Sequence, residues 1–239
     1  MERKTVKLQD LPVDTFTDSQ AFEYIESTHG QVVTINPEMI SCAKTNESLK
    51  NIIENAELVI PDGIGVEIGL KILGYNVRRI AGIAFAHKLL EASVKNCQRV
   101  ALIGSKPEVI TKAVENLKAE IPGINIIYVR DGYFKDDDKV LSEIKEMQPE
   151  VILAALGSPK QEEFIYNAKK LLPNAIMIGV GGSFDVWSGC VERAPEIYQK
   201  IGLEWLYRTV KEPKRFKRIF PTLPLFVINV LKEKWGIKC

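Results

Sequence analysis

The chain has 239 residues, 46% hydrophobic and 26% charged, with a formal net charge of +1. That is room for one large domain or a domain with an appendage, and the composition is that of a soluble globular protein rather than a disordered, fibrous or disulfide-stapled one. Near-neutral charge excludes a whole-chain electrostatic argument for a nucleic-acid binder, and no apolar run reaches the roughly 18–20 residues that a spanning helix needs.

Charge is unevenly placed. From Arg208 to Cys239 nine Lys/Arg stand against two Glu, giving +7, while residues 1–207 carry −6. Such asymmetry points to a polyanionic partner for the tail. The opening Met1-Glu2-Arg3-Lys4 lacks the apolar core of a signal peptide. Cys42, Cys97, Cys190 and Cys239 are scattered without CxxC spacing, so reduced thiols in a cytoplasmic protein are expected and a zinc site is not.

In chain order, Asp14 to Thr28 reads as a leading strand or turn followed by a helix capped by Asp18 or Ser19. Strands are expected near Val32–Ile35, Glu57–Ile60, Val100–Ile103, Asn125–Val129, Val151–Leu156 and Ala175–Val180. Helical patterns lie between them, near Pro37–Cys42, Glu47–Asn55, Ile64–Leu73, Ile83–Asn96, Pro107–Glu120, Asp137–Met147 and Lys160–Leu171. This alternation predicts an α/β fold, a Rossmann-like, mostly parallel sheet with helices on both faces. Residues 1–193 are read as the α/β catalytic domain and 194–239 as a basic, amphipathic, helical appendage that binds membrane. Pro213, Pro221 and Pro224 are expected to break that appendage into two or three short helices.

Ligands of open α/β sheets bind outside the carboxyl ends of the strands. Six loops qualify: Thr34–Pro37, Pro61–Gly65, Gly104–Lys106, Arg130–Phe134 with Tyr133, Gly157–Glu162 and Gly179–Asp185. In Gly157-Ser158-Pro159-Lys160-Gln161-Glu162 an apolar strand, a glycine turn and a helix follow one another. That order puts backbone N–H groups where an anion sits, with Lys160 and Gln161 adding side-chain donors. Asp62, at a strand tip, is either a general base aimed into the cleft or a cap for the helix after it. Thr34 and Asn36 either orient a sugar hydroxyl or stabilise the turn before Pro37. Arg79, ahead of a glycine at a helix start, either meets a diphosphate or lies on the surface. Gly63, Gly65 and Gly69 are spaced GxGxxxG, which departs from the dinucleotide fingerprint. Asp136-Asp137-Asp138 contains a DxD, readable as a metal site or, better, as an acidic helix start. His29 and His87 stand alone, and no Ser/His/Asp order is evident.

The tail mixes Arg208, Lys211, Lys214, Arg215, Lys217 and Arg218 with Trp205, Tyr207, Phe216, Phe220, Phe226 and Trp235. Basic plus aromatic residues suit an anionic membrane surface, RNA, or a plain docking helix with a solvated face. The apolar run Leu223–Leu231 favours membrane over nucleic acid.

Thr34-Ile35-Asn36-Pro37, Pro61-Asp62-Gly63-Ile64-Gly65, Gly157–Glu162, Val180–Asp185, Arg193-Ala194-Pro195 and Gly202-Leu203-Glu204-Trp205-Leu206-Tyr207-Arg208 occur in that order. From about Val32 to Arg218 the chain resembles the WecG/TagA/CpsF family of bacterial glycosyltransferases, and within it the TagA branch, the N-acetylmannosaminyltransferases of wall teichoic acid synthesis. The resemblance implies transfer of N-acetylmannosamine from a UDP donor to N-acetylglucosamine-diphospho-undecaprenol, β-1,4 with inversion, by a protein peripheral to the cytoplasmic membrane face. It implies Asp62 as the base. Thr34, Asn36 and Gln161 would line the sugar and donor pocket, and Gly157, Gly182 and Asp185 the nucleotide edge, with Arg79 and Tyr133 counted among donor contacts. Arg208, Arg215 and Arg218 would close on donor or lipid diphosphate. No metal or other cofactor is expected, because arginines and helix N-termini would carry the leaving charge. Ala84 stands where family members often have an acidic residue. A same-fold transferase using a uronic acid or glucose donor, and a non-catalytic nucleotide-binding membrane protein, are the alternatives. Self-association is one way to cover Ile201, Leu206 and Val210 away from a membrane.

Overall fold

The computed structural model describes residues 1–195, 197–198, 202, 204–211 and 216–237, without the side chains of residues 208 and 216–221. Arg215, and the side chains of Arg208 and Arg218, therefore lie outside the described residues, as does Ile201.

Six parallel strands form the central sheet: β3 (Gly30–Ile35), β4 (Leu58–Pro61), β5 (Arg99–Gly104), β6 (Asn125–Arg130), β7 (Val151–Ala155) and β8 (Ile176–Gly179), in the spatial order β4-β3-β8-β7-β5-β6. The inner strands β3, β7 and β8 are buried throughout, which is why they read as continuous apolar runs rather than alternating ones. Helices α1 (Asp18–Thr28), α2 (Pro37–Ala43), α3 (Glu47–Glu54), α4 (Ile64–Ile72), α5 (Gly82–Lys95), α6 (Pro107–Glu120), α7 (Asp137–Met147), α8 (Lys160–Leu171) and α9 (Ser183–Trp187) connect or follow the strands. Their apolar residues fill three clusters: one around Phe85, Leu102 and Phe184, one around Val33, Leu49 and Leu70, and one around Ile152, Phe164 and Ile165.

The leading segment is a hairpin, β1 (Thr5–Leu8) and β2 (Leu11–Asp14), paired antiparallel with Leu8 opposite Leu11. Its turn residues Gln9 and Asp10 both have positive φ, 51° and 67°, the geometry of a two-residue hairpin turn that glycine or asparagine usually supplies. The absence of that signature hid the hairpin from the sequence pattern. Thr17, rather than Asp18 or Ser19, caps α1, in a capping box with Gln20.

The hairpin closes one sheet edge. Asp14 is 1% exposed, and its Oδ2 accepts from Val59 N–H of β4 at 2.7 Å. Arg3 grips the same carboxylate with Nε at 2.8 Å and Nη2 at 3.0 Å, and its Nη1 donates to the Ala56 carbonyl at 2.9 Å. A strand edge that would offer an N–H to another chain is thus answered by a buried carboxylate paired with a half-buried guanidinium.

The C-terminal residues form α10 (Glu204–Lys211) and α11 (Phe216–Lys234). Pro221 and Pro224 lie inside α11 instead of breaking it. An interior proline costs about 3 kcal/mol through its lost hydrogen bond and ring clash. Tertiary burial opposes that cost: Phe226 and Val230 are 3% and 0% exposed, in the cluster with Leu8 and Val66. The approach needs the glycine face of α4, since a Cβ on Gly69 would come within 2.9 Å of the Phe226 ring. At the far end of α11, Glu233 accepts from Gln9 N–H at 2.9 Å, and burial raises its carboxyl above the ordinary glutamate range.

Replacing Asp14 with alanine leaves Val59 N–H and Arg3 without their acceptor. The expected loss is about 1–3 kcal/mol of unfolding free energy, read by chemical denaturation; a loss below the measurement error would refute the edge-sealing role.

Candidate functional site

Parallel register aligns the strand tips. Ile35 pairs with Pro61, so Asn36 and Asp62 leave the sheet side by side, and Asp62 N–H donates to the Ile35 carbonyl at 2.8 Å. Glycine with φ +84° at Gly63 then turns the chain into α4. Gly63, not Asp62, holds the N-cap position of α4, and it brings no side chain to that helix start. Instead Asp62 Oδ1 faces Gly82 N–H at 3.4 Å, at the first turn of α5, where a helix start favours negative charge. Gly82 is held close: a Cβ there would lie 2.9 Å from Thr34 Cγ2 and 3.4 Å from Asp62 Oδ2.

Thr34 Oγ1 donates to the Gly179 carbonyl of the neighbouring strand at 3.4 Å. Asn36 caps α2 through Oδ1, which accepts from Met39 N–H at 3.0 Å; its Nδ2 has no partner among the described residues. Arg79 is half-buried, and its backbone N–H donates to Glu67 at 2.9 Å.

Across the sheet, Gly157 takes φ +77° with open space around it, and its carbonyl accepts from Gln161 N–H at 2.8 Å, closing the turn into α8. Gln161 is 4% exposed. Its Oε1 accepts from Gly181 N–H at 3.2 Å, and its Nε2 donates to Glu162 Oε1 at 2.8 Å. A side chain on Gly179 would collide with that amide. Glu162 is 2% exposed with Oε2 unpartnered, and its backbone carbonyl accepts from Gln31 Nε2 at 3.2 Å. Burial pushes the Glu162 carboxyl above the ordinary range, while the hydrogen bond from Gln161 pulls the other way. The sequence pattern drew attention to Gln161 and left Glu162 unassigned; a glutamate following an apolar strand so closely was the available signal.

These residues border one cleft of about 620 Å³. Thr34, Asn36, Asp62, Arg79, Gly157, Gln161 and Gly182 all line it. Four of the six strand-end loops contribute, those after β3, β4, β7 and β8. The loops after β5 and β6 do not, because those strands lie toward the far edge of the sheet, and they bond to each other instead, Gly132 N–H to the Ser105 carbonyl at 2.8 Å. Tyr133 accordingly lies off the cleft and 67% exposed. Asp185 sits within α9, half-buried, and is also outside the lining. Lys160 turns away, its Nζ 4.6 Å from the Phe134 ring centroid and 3.8 Å from Asp137. Asp136 caps α7, accepting from Lys139 N–H at 3.0 Å, which fits the helix-start reading of the aspartate run. Unforeseen lining comes from the C-terminal helices: Trp205 of α10, and Leu223, Phe226 and Val227 of α11. Their helical spacing was legible, but not what they would pack against.

A family model for glycosyl transferases, WecG/TagA/CpsF, matches residues 6–239. The chain belongs to that family. It is 36% identical over 227 residues to the N-acetylglucosaminyldiphosphoundecaprenol N-acetyl-beta-D-mannosaminyltransferase of Bacillus spizizenii, covering 94% of this chain and 88% of the relative. It is 37% identical over 222 residues to the protein of the same name from Bacillus subtilis, covering 92% and 86%. Among the described residues, no helix is long and apolar enough to cross a membrane.

A carboxyl whose folded pKa is raised stabilises the fold when protonated; that contribution is lost as pH climbs from the ordinary carboxylate range through the raised folded value. Glu162→Gln keeps an acceptor for Gln161 and removes the titration. The unfolding midpoint of the wild type should therefore fall relative to Glu162→Gln as pH rises across that span. Calorimetry showing the opposite slope would refute a protonation-favouring site.

Proposed function

We propose that this glycosyltransferase moves N-acetylmannosamine from UDP-N-acetylmannosamine to N-acetylglucosamine-diphospho-undecaprenol, with inversion to a β-1,4 linkage, in wall teichoic acid linkage-unit synthesis. The observation that carries the reading is the placement of Asp62 in one cleft with the glycine loops after β7 and β8, in a chain whose named relatives act as that transferase over nearly its full length.

Asp62 accepts the proton of the attacking acceptor hydroxyl. The hydroxyl oxygen then displaces UDP from the anomeric carbon on the opposite face, which inverts the configuration. Gly82 N–H holds the carboxylate on its approach line, and Thr34 and Asn36 stand beside it to orient sugar hydroxyls. Gly157, Gln161 and Gly182 bound the donor side, where backbone N–H groups stabilise the leaving diphosphate without a metal. Arg79 lines the same cleft and has the geometry to bind phosphate oxygens in pairs. Arg208, Arg215 and Arg218 would add cations from the tail, which brings the chain to the anionic inner face of the membrane as a peripheral protein.

Asp62→Asn should lower turnover roughly 10²–10⁴-fold in a UDP-release assay with that donor and acceptor, with an unchanged circular dichroism spectrum; wild-type turnover would remove Asp62 as base. Gly82→Ala crowds Thr34 and Asp62 and should cost about 1–3 kcal/mol of fit. The same assay should show it as a fall in kcat exceeding the change in donor KM, and an unaltered kcat would contradict the positioning of Asp62 by Gly82.

A further inference from the structure

We propose that the apolar strip formed by Ile68 of α4 with Leu223 and Val227 of α11 holds the first isoprene units of a polyprenyl-diphosphate acceptor. The inference rests on the transfer reaction proposed above and adds to it a subsite for the lipid.

The cleft has two chemically different sides. Its floor is polar: Gly157, Ser158, Gln161 and Gly181 present backbone groups and an amide from the strand ends. Another part of its lining, from α4 and α11, is aliphatic. Ile68 is 45% exposed and Val227 38%, and Leu223 is half-buried beside them, all lining the same space as Asp62. Leu223 and Val227 are four residues apart and share one side of α11, while Phe226 is turned inward against Gly69.

Complementarity selects the occupant. A nucleoside diphosphate sugar offers this wall no aliphatic surface beyond one acetamido methyl. Neither do the sugar and diphosphate of the acceptor. Of everything the two substrates carry, only the prenyl chain offers an extended aliphatic surface, and a chain drawn from a bilayer would expose that surface to water unless protein covers it. The strip is continuous with the cleft that contains Asp62, so a prenyl chain lying on it keeps its diphosphate and sugar within the same cavity.

The test uses the full-length protein in detergent solution, without vesicles, and UDP release as the readout. Two acceptors share the N-acetylglucosamine diphosphate head, one on undecaprenol and one on methanol. In Ile68→Ser and Val227→Ser, the long-to-short ratio of kcat/KM is expected to fall roughly tenfold each, through KM of the long acceptor. Ile228→Ser, on the same helix, 49% exposed and outside the cleft lining, should leave the ratio unchanged. An unchanged ratio in the first two variants overturns the lipid strip while the transferase reading stands. So does an equal loss with both acceptors, or an equal fall in Ile228→Ser, which would mean general adsorption to micelles. A wild-type chain inactive with both acceptors overturns the transferase reading and the strip together. All three residues are at the surface, and a thermal unfolding scan of each variant is the check that it remains folded.

Discussion

The hydrogen bond from Asp62 N–H to the Ile35 carbonyl lies one step beyond the last register pair of β3 and β4, and the geometry of the cleft hangs on it. It sets the two strand-end loops at one height, so that Thr34, Asn36 and Asp62 reach the cleft together. A slip of one residue in this pairing would turn the side chains of β4 to the wrong face. The wholly buried β3 and β4 resist such a slip, so the placement of the carboxylate is underwritten by the sheet rather than by a loop.

Opposite Asp62 the chain solves a different problem, how to hold an amide still in a buried place. Gln161 does so by spending both ends of its side chain, one on Gly181 N–H and the other on Glu162. Gly179 is required because any side chain would occupy that amide's position. The motif reads as a phosphate turn, yet half of it is a support structure: Glu162 and Gln31 are buried beneath the residues that border the cleft.

Much of this was legible from residue order. Continuous apolar runs such as Val151–Leu156 could only be buried parallel strands once helical patterns separated them, and Asp62, Gln161 and Gly157 stood out because each follows such a run. Relations between distant segments were not legible. Tyr133 reads as a loop residue of the same kind, but strand order places β6 at the far edge. Pro221 and Pro224 carry a strong local signal for a break, and the packing of Phe226 against the glycine face of α4 overrides it. The hairpin lacked its usual turn residues because Gln9 and Asp10 adopt positive φ without glycine.

Arg3 and Asp14 carry a consequence for the start of the chain. The guanidinium that offsets a buried carboxylate belongs to Arg3, ahead of β1 and outside any regular element. Proteolytic trimming of a few N-terminal residues would strip the cation while leaving the anion in place. The β4 border would then loosen at the open end of the hairpin whose turn, at the other end, anchors the C-terminal helix through Gln9 N–H. One short hairpin thus ties the sheet border at its open end to the C-terminal helix at its turn, and a cut ahead of β1 weakens the first of these two ties.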